Sequence, residues 1–165
     1  MINIIEIESV KNSINDVLNA ADPPVKKLQK ICDLLRESME DYHWVGYYLV
    51  HAESASELIL GPFAGDATEY TRIDFGRGVC GQVADTMAAR VVDDVSLEPN
   101  YLSCSPDIRS EFVAPVIWNG KLVGELDLDS GTKAAFRETD VELLKWVAEV
   151  TAEDAARVAG FHLAE

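Results

Sequence analysis

The chain has 165 residues, enough for one domain with a sizeable core, and its 48% hydrophobic and 26% charged residues make an ordinary globular balance. Fourteen Lys and Arg face twenty-nine Asp and Glu, and the net charge of -15 repels phosphate backbones and anionic bilayers, which argues against nucleic-acid and membrane partners. No apolar run reaches membrane-helix length, MINIIEIESV has no basic leader, and three cysteines make no secreted disulfide framework, so a cytoplasmic chain with reduced thiols is expected.

Val10, Ile14, Val17 and Leu18 recur at helical spacing behind Ser9, which reads as the N-cap. Pro23 and Pro24 punctuate, and a second helix runs on Val25, Leu28, Ile31, Cys32, Leu35 and Met39. Trp44–Val50, Leu58–Phe63 and Thr71–Phe75 read as strands from their branched and aromatic content. A turn at Gly76–Gly78 leads to a short helix near Val79–Met87, then a strand at Val91–Val95 and a polar loop to about Arg109. Phe112–Trp118 and Leu122–Asp129 form the clearest hairpin, joined at Asn119-Gly120. One long helix from about Glu138 to Ala159 closes the chain, with Val141, Leu144, Val147, Val150 and Val158 on or near one face. This order suits one α/β (α+β) domain over residues 1–165, an antiparallel sheet with helices on one side.

Cys32 falls in an apolar stripe and reads as core. Cys80 stands at a helix start, where unpaired N–H groups and the helix dipole favour a thiolate; the other reading is a small residue packed on the sheet. Cys104 lies in a loop without periodicity, Pro99 to Pro106, where binding and catalytic groups concentrate.

In Gly124 to Asp129, strand alternation puts Glu125, Asp127 and Asp129 on one face and Leu126 and Leu128 on the other. A solvated face would make this row an ordinary exposed strand. A cavity wall would call for a cation: an ammonium group, a metal, or shared protons. Glu111, just before the preceding strand, can join it. An oxygen-rich metal site is possible there, but no EF-hand spacing accompanies it. His43, His51 and His162 show no ligand spacing, so no zinc site, and no metal or cofactor, is expected. Gly76, Gly78 and Gly81 fit G-x-G-x-x-G, but the strand before them is short and polar and too few alternating elements follow for a dinucleotide fold.

Together these residues resemble a specific family. Trp44-Val45-Gly46-Tyr47-Tyr48-Leu49, Leu60-Gly61-Pro62-Phe63 and Gly76-Arg77-Gly78-Val79-Cys80-Gly81 resemble the free methionine-(R)-sulfoxide reductases, stand-alone GAF-domain enzymes. Cys104, Ser110-Glu111, Pro115 and Gly124 through Ser130 continue the match in order, as does the separation of Cys80 from Cys104. The resemblance implies a GAF-like fold, with a central antiparallel sheet, helices on one face and a ligand pocket on the other.

It also implies a site. Cys104 would attack the sulfoxide sulfur of free methionine sulfoxide and become a sulfenic acid, a second thiol would resolve it, and a thioredoxin-type reductant would reopen the disulfide. Glu111, Asp127 and Asp129 would hold the substrate ammonium, and one of them, kept protonated, would serve the sulfoxide oxygen. Trp44 and Tyr48 would wall in the methyl group, and a homodimer would be in keeping with the family. The chain departs from the family pattern at Tyr70, where a third cysteine is common, so that Cys80 would be the resolver. Tyr101, Ser105 and Glu125 replace a usual histidine, aspartate and apolar residue. The loop around Cys104 is more like that of sensor GAF domains, so a non-catalytic module for a cationic or zwitterionic metabolite, and a thiol redox sensor, are the competing expectations.

Overall fold

The structure, a computed structural model, describes residues 3–54, 56–102 and 105–161. Its centre is a six-stranded sheet in the order β3-β2-β1-β6-β5-β4, from β1 (Trp44–Leu49), β2 (Glu57–Ala64), β3 (Arg72–Asp74), β4 (Arg90–Val92), β5 (Ser110–Trp118) and β6 (Lys121–Ser130). Every neighbouring pair is antiparallel, which excludes the doubly wound arrangement that the glycine motif could have suggested. β1 and β6 lie at the middle, which is why all six residues of β1 are buried whichever face they point to.

Alternation divides the molecule. Val45, Tyr47 and Leu49 of β1 join Phe112, Ala114, Leu126 and Leu128 in a core beneath α1 (Ile4–Asn19), α2 (Pro24–Ser38), α4 (Glu138–Val150) and α5 (Ala152–Val158). Trp44, Tyr48, Val50 and Val113 face the other way, under α3 (Gly78–Thr86), which adds Val79, Cys80, Val83 and Ala84. Four helices therefore share one face as expected, and the short α3 roofs the opposite one. Among the described residues no helix is long and apolar enough to cross a membrane.

The hairpin forms as expected, with Asn119 and Gly120 both at positive φ, the pairing a tight two-residue turn requires. Several boundaries differ from the sequence reading: β5 starts at Ser110 and so takes in Glu111, and three others have a clear local cause. Helix α1 begins before Ser9, because Asn3 accepts from the Glu6 N–H while Glu6 accepts from the Asn3 N–H, both at 2.9 Å, a complete capping box. The β4 strand ends at Val92: the Asp94 carboxylate accepts from the Ser96 N–H at 3.0 Å and starts a 3-10 turn at Val95–Leu97. The terminal helix breaks at Thr151, whose hydroxyl reaches the Val147 carbonyl at 2.8 Å and meets the buried Tyr47 hydroxyl at 2.9 Å.

The start of α4 is tied to the rest of the core through one buried pair. The Tyr42 hydroxyl donates to Asp140 at 2.5 Å, and the other oxygen of Asp140 accepts the Arg137 N–H at 3.1 Å. Tyr42→Phe leaves a buried carboxylate short of one donor and is expected to lower the unfolding free energy by about 1–3 kcal/mol in urea titration. A loss below the error of that titration would show that water serves Asp140 equally well.

Candidate functional site

The second face of the sheet carries the chemistry. The register sets Trp44, Asp129 and Glu111 side by side across β1, β6 and β5, then Gly46, Asp127 and Val113, then Tyr48, Glu125 and Pro115. Glu125, Asp127 and Asp129 thus project together under α3, with Glu111 beside Asp129. Their exposures are 0% for Glu125, 4% for Asp127, 2% for Asp129 and 6% for Glu111, so the row is a cavity wall and not a solvated strand.

Such burial is costly. Neither Glu125 oxygen meets a hydrogen-bond partner, and one oxygen each of Asp127 and Asp129 is also unsatisfied. Burial, then the Asp127 charge, pushes Glu125 well above the ordinary carboxylate range, with the nearby Cys80 thiol opposing. Burial and then the Asp127 charge do the same for Asp129, against hydrogen bonding with Glu111. Asp127 is raised by burial, against hydrogen bonding with Glu111 and Cys80. Protonated carboxyls are therefore favoured in this pocket.

Cys80, the third residue of α3, faces this row, and of its two sequence readings the one packed on the sheet describes its setting. The helix start does not yield a thiolate: burial raises the thiol well above its usual range, and Asp127, Glu125, Glu111 and Asp129 raise it further. Burial, and after it like charge at close quarters, outweighs the partial charge of a nine-residue helix. The glycines around it serve packing. Gly78 sits at φ +67 with Leu102 directly above, and a side chain at Gly81 would strike the Asp74 carbonyl at 2.7 Å.

The Cys80 Sγ and one oxygen each of Glu111 and Asp127 all lie within 4.8 Å of one another. They border a small pocket of about 20 Å³ lined also by Tyr48, Tyr70 and Leu102, which is room for about one water. A cleft of about 220 Å³ opens nearby and touches the row at Trp44 and Asp129, with Arg36, His43, Ser105 and Ile108 among its other walls.

The aromatic groups are firmly seated. The Trp44 Nε1–H donates to the Asp66 carbonyl at 3.0 Å, and its ring stacks on Phe63 at 5.6 Å. Side chains at Gly46 or Gly65 would collide with that indole. The Tyr48 hydroxyl donates to the Tyr70 carbonyl at 2.7 Å, so Tyr70 positions Tyr48 through its backbone while its ring lies under Arg77 at 5.9 Å. Trp44, Tyr48, Cys80, Glu111, Asp127 and Asp129 are thus brought to one face of the sheet. Cys104 lies outside the described residues. Cys32 is core, its thiol donating to the Pro62 carbonyl at 3.6 Å.

Two residues of the cleft carry no sequence signal. His43 is held by the Gly131 N–H, which donates to its Nδ1 at 2.7 Å and leaves Nε2 to carry the proton of the neutral ring. Arg36 donates from Nε to the His43 carbonyl at 2.9 Å. Neither spacing nor motif joins these positions to Asp129; only the fold does.

Residues 23–153 match the GAF domain family. The chain is 38% identical over 111 residues to the free methionine-R-sulfoxide reductase of Saccharomyces cerevisiae, a match covering 67% of this chain and 61% of the yeast protein's length. It is similar to the free methionine-R-sulfoxide reductase of Neisseria meningitidis, solved in complex with its substrate, at TM-score 0.81 and 38% identity, covering 91% of this chain and 89% of that one. It is also similar to the type II enzyme of Thermoplasma acidophilum, at TM-score 0.77 and 33% identity, covering 81% of this chain and 93% of that one.

Proposed function

Because this chain belongs to the GAF-domain family, we propose that it reduces free L-methionine-(R)-sulfoxide to methionine, with Cys104 as the attacking thiol and Cys80 as the resolving one. The observation that carries this reading is the buried row of Glu111, Asp127 and Asp129 beside Cys80, Trp44 and Tyr48. The unsatisfied oxygens of the buried Asp127 and Asp129 call for a cationic group, and the substrate's ammonium is one. Arg36 and His43 in the adjoining cleft offer the substrate's carboxylate a complementary pole. Relatives that bear this activity in their names are similar over most of this chain.

In this mechanism the Cys104 thiolate attacks the sulfoxide sulfur while a protonated carboxyl of the row serves the oxygen. Methionine leaves with its sulfur reduced, and the oxygen remains on Cys104 as a sulfenic acid. The Cys80 thiol then attacks that sulfur, water departs, and a Cys80–Cys104 disulfide forms. A dithiol reductant of the thioredoxin class takes the oxidation and restores both thiols. The ammonium of a bound substrate also offsets the charge that opposes Cys80 ionisation, so the resolving thiol would be activated with substrate present. The same reading treats residues 1–165 as one cytoplasmic domain, able to form a homodimer through its helices.

The test is turnover of free L-methionine-(R)-sulfoxide by the reduced protein, with dithiothreitol and separately with thioredoxin and its reductase. Cys104→Ser is expected to abolish both rates, and Cys80→Ser to abolish the thioredoxin-supported rate. A second reading is favoured by one observation, the burial of Cys80 over carboxylates, which together hold it as a thiol. It makes the protein a non-catalytic module for a zwitterionic or cationic metabolite, or a thiol redox sensor. Absence of turnover in folded, reduced protein, with ligand binding retained in Cys104→Ser, would favour the module; an oxidation response lost in either serine variant would favour the sensor.

A further inference from the structure

The small pocket has too little space for a whole amino acid and suits a single ion or the ammonium end of a larger ligand. Its free volume is about 20 Å³, and three of its walls, Cys80, Glu111 and Asp127, place a sulfur and two carboxylate oxygens within 4.8 Å of one another. Around one tetrahedral ion with bonds of about 2.0–2.3 Å, donors stand roughly 3.3–3.8 Å apart, a gap that small side-chain rotations close. The three donors come from three different elements, α3, β5 and β6, so a shared ion would brace the roof helix against the sheet.

A second, independent feature points the same way. Asp127, which lines this pocket, is 4% exposed and keeps one oxygen without a hydrogen-bond partner, and Glu125 behind it on the same face of β6 is fully buried with only the Cys80 thiol beside it. One oxygen of Asp129 is unsatisfied as well. One ammonium offers a single positive charge to this set, whereas a divalent ion offers two in far less space.

We propose that reduced Cys80, with Glu111 and Asp127, binds one thiophilic divalent cation of the zinc class. Sulfur selects zinc, cobalt or cadmium over magnesium and calcium, which prefer shells made wholly of oxygen. Cys80 binds as the thiolate and releases its proton to solvent, and Glu125 supplies further negative charge beside the bound sulfur. The inference rests on the cavity and its donors. It touches the reductase reading at one point: Glu111 and Asp127 serve both occupants, so metal and substrate exclude each other and the metal would inhibit turnover.

The test uses the reduced protein titrated anaerobically with Co²⁺. The expected result is a saturable sulfur-to-cobalt charge-transfer band at one ion per chain, lost in Cys80→Ser and about tenfold or more weaker in affinity in Asp127→Asn. Zn²⁺ bleaches the band and raises the unfolding temperature, and Mg²⁺ does neither. Circular dichroism confirms the fold of each variant, and Asp127→Asn, which relieves repulsion, decides the matter if Cys80→Ser does not fold. No saturable band, or a band unchanged in Cys80→Ser, or unchanged affinity in Asp127→Asn, overturns the proposal. Metal uptake without sulfoxide turnover would keep this site and remove the reductase reading; turnover without uptake would do the reverse.

Discussion

Asp127→Asn is expected to lower kcat/KM for free L-methionine-(R)-sulfoxide by roughly a hundredfold, about 3 kcal/mol, without lowering the unfolding temperature. Asparagine keeps the shape of the side chain and removes its charge from the centre of the row. An ammonium buried there would lose an ionic partner in a site that excludes water, where such a partner counts for most. The free protein loses nothing comparable, because Asp127 repels Glu125 and Asp129 and has an unsatisfied oxygen. Steady-state kinetics and thermal unfolding on the same preparation separate the two effects. An unchanged kcat/KM would remove Asp127 from the substrate site, and a matching collapse in stability would reassign it to the scaffold.

Glu125→Leu is expected to stabilise the protein at neutral and alkaline pH by about 1–4 kcal/mol, the range found when buried ionic groups give way to apolar ones of similar volume. The sign follows from linkage. The folded state holds the Glu125 carboxyl well above its ordinary value, so folding favours the protonated form. Below the unfolded carboxyl range, near pH 4.5, the group is protonated in both states and its charge costs the fold nothing. As pH rises through that range towards the raised folded value, the unfolded chain ionises first and native stability falls. The advantage of leucine therefore grows over that interval and levels off above it. Urea titrations of both proteins at several pH values read the difference directly. A constant difference across pH would show that Glu125 titrates normally, contrary to its burial without partners. The same substitution takes one repelling carboxylate from Cys80, so its thiol should alkylate at lower pH.

Much of this arrangement was legible in the sequence where a single element decides it. Alternation alone put Glu125, Asp127 and Asp129 together and Leu126 and Leu128 opposite, because a strand's side-chain period is two wherever the strand lies. Asn119-Gly120 announced the hairpin, because a two-residue turn needs positive φ at both positions. The stripe of the second helix named Cys32 as core. Whole motifs such as Gly76 to Gly81 carried the family resemblance.

The rest depended on what packs across space. Whether the carboxylate row met water or a roof was settled by α3 folding over β5 and β6, and local spacing holds no record of that. The same packing decided between the two readings of Cys80 and made it a buried thiol, because α3 desolvates it and charges distant in sequence stand beside it. Thr151 ends a helix whose periodicity runs on, because its hydroxyl meets Tyr47 from the sheet. Arg36 and His43 reach the cleft of Trp44 and Asp129 only through the fold. For this protein, sequence by itself determined periodicity, turns and the chemistry available on each face, since these depend on neighbours along the chain. Tertiary structure alone decided burial, ionisation and which side chains share a cavity, since desolvation and Coulomb energy depend on distance in space.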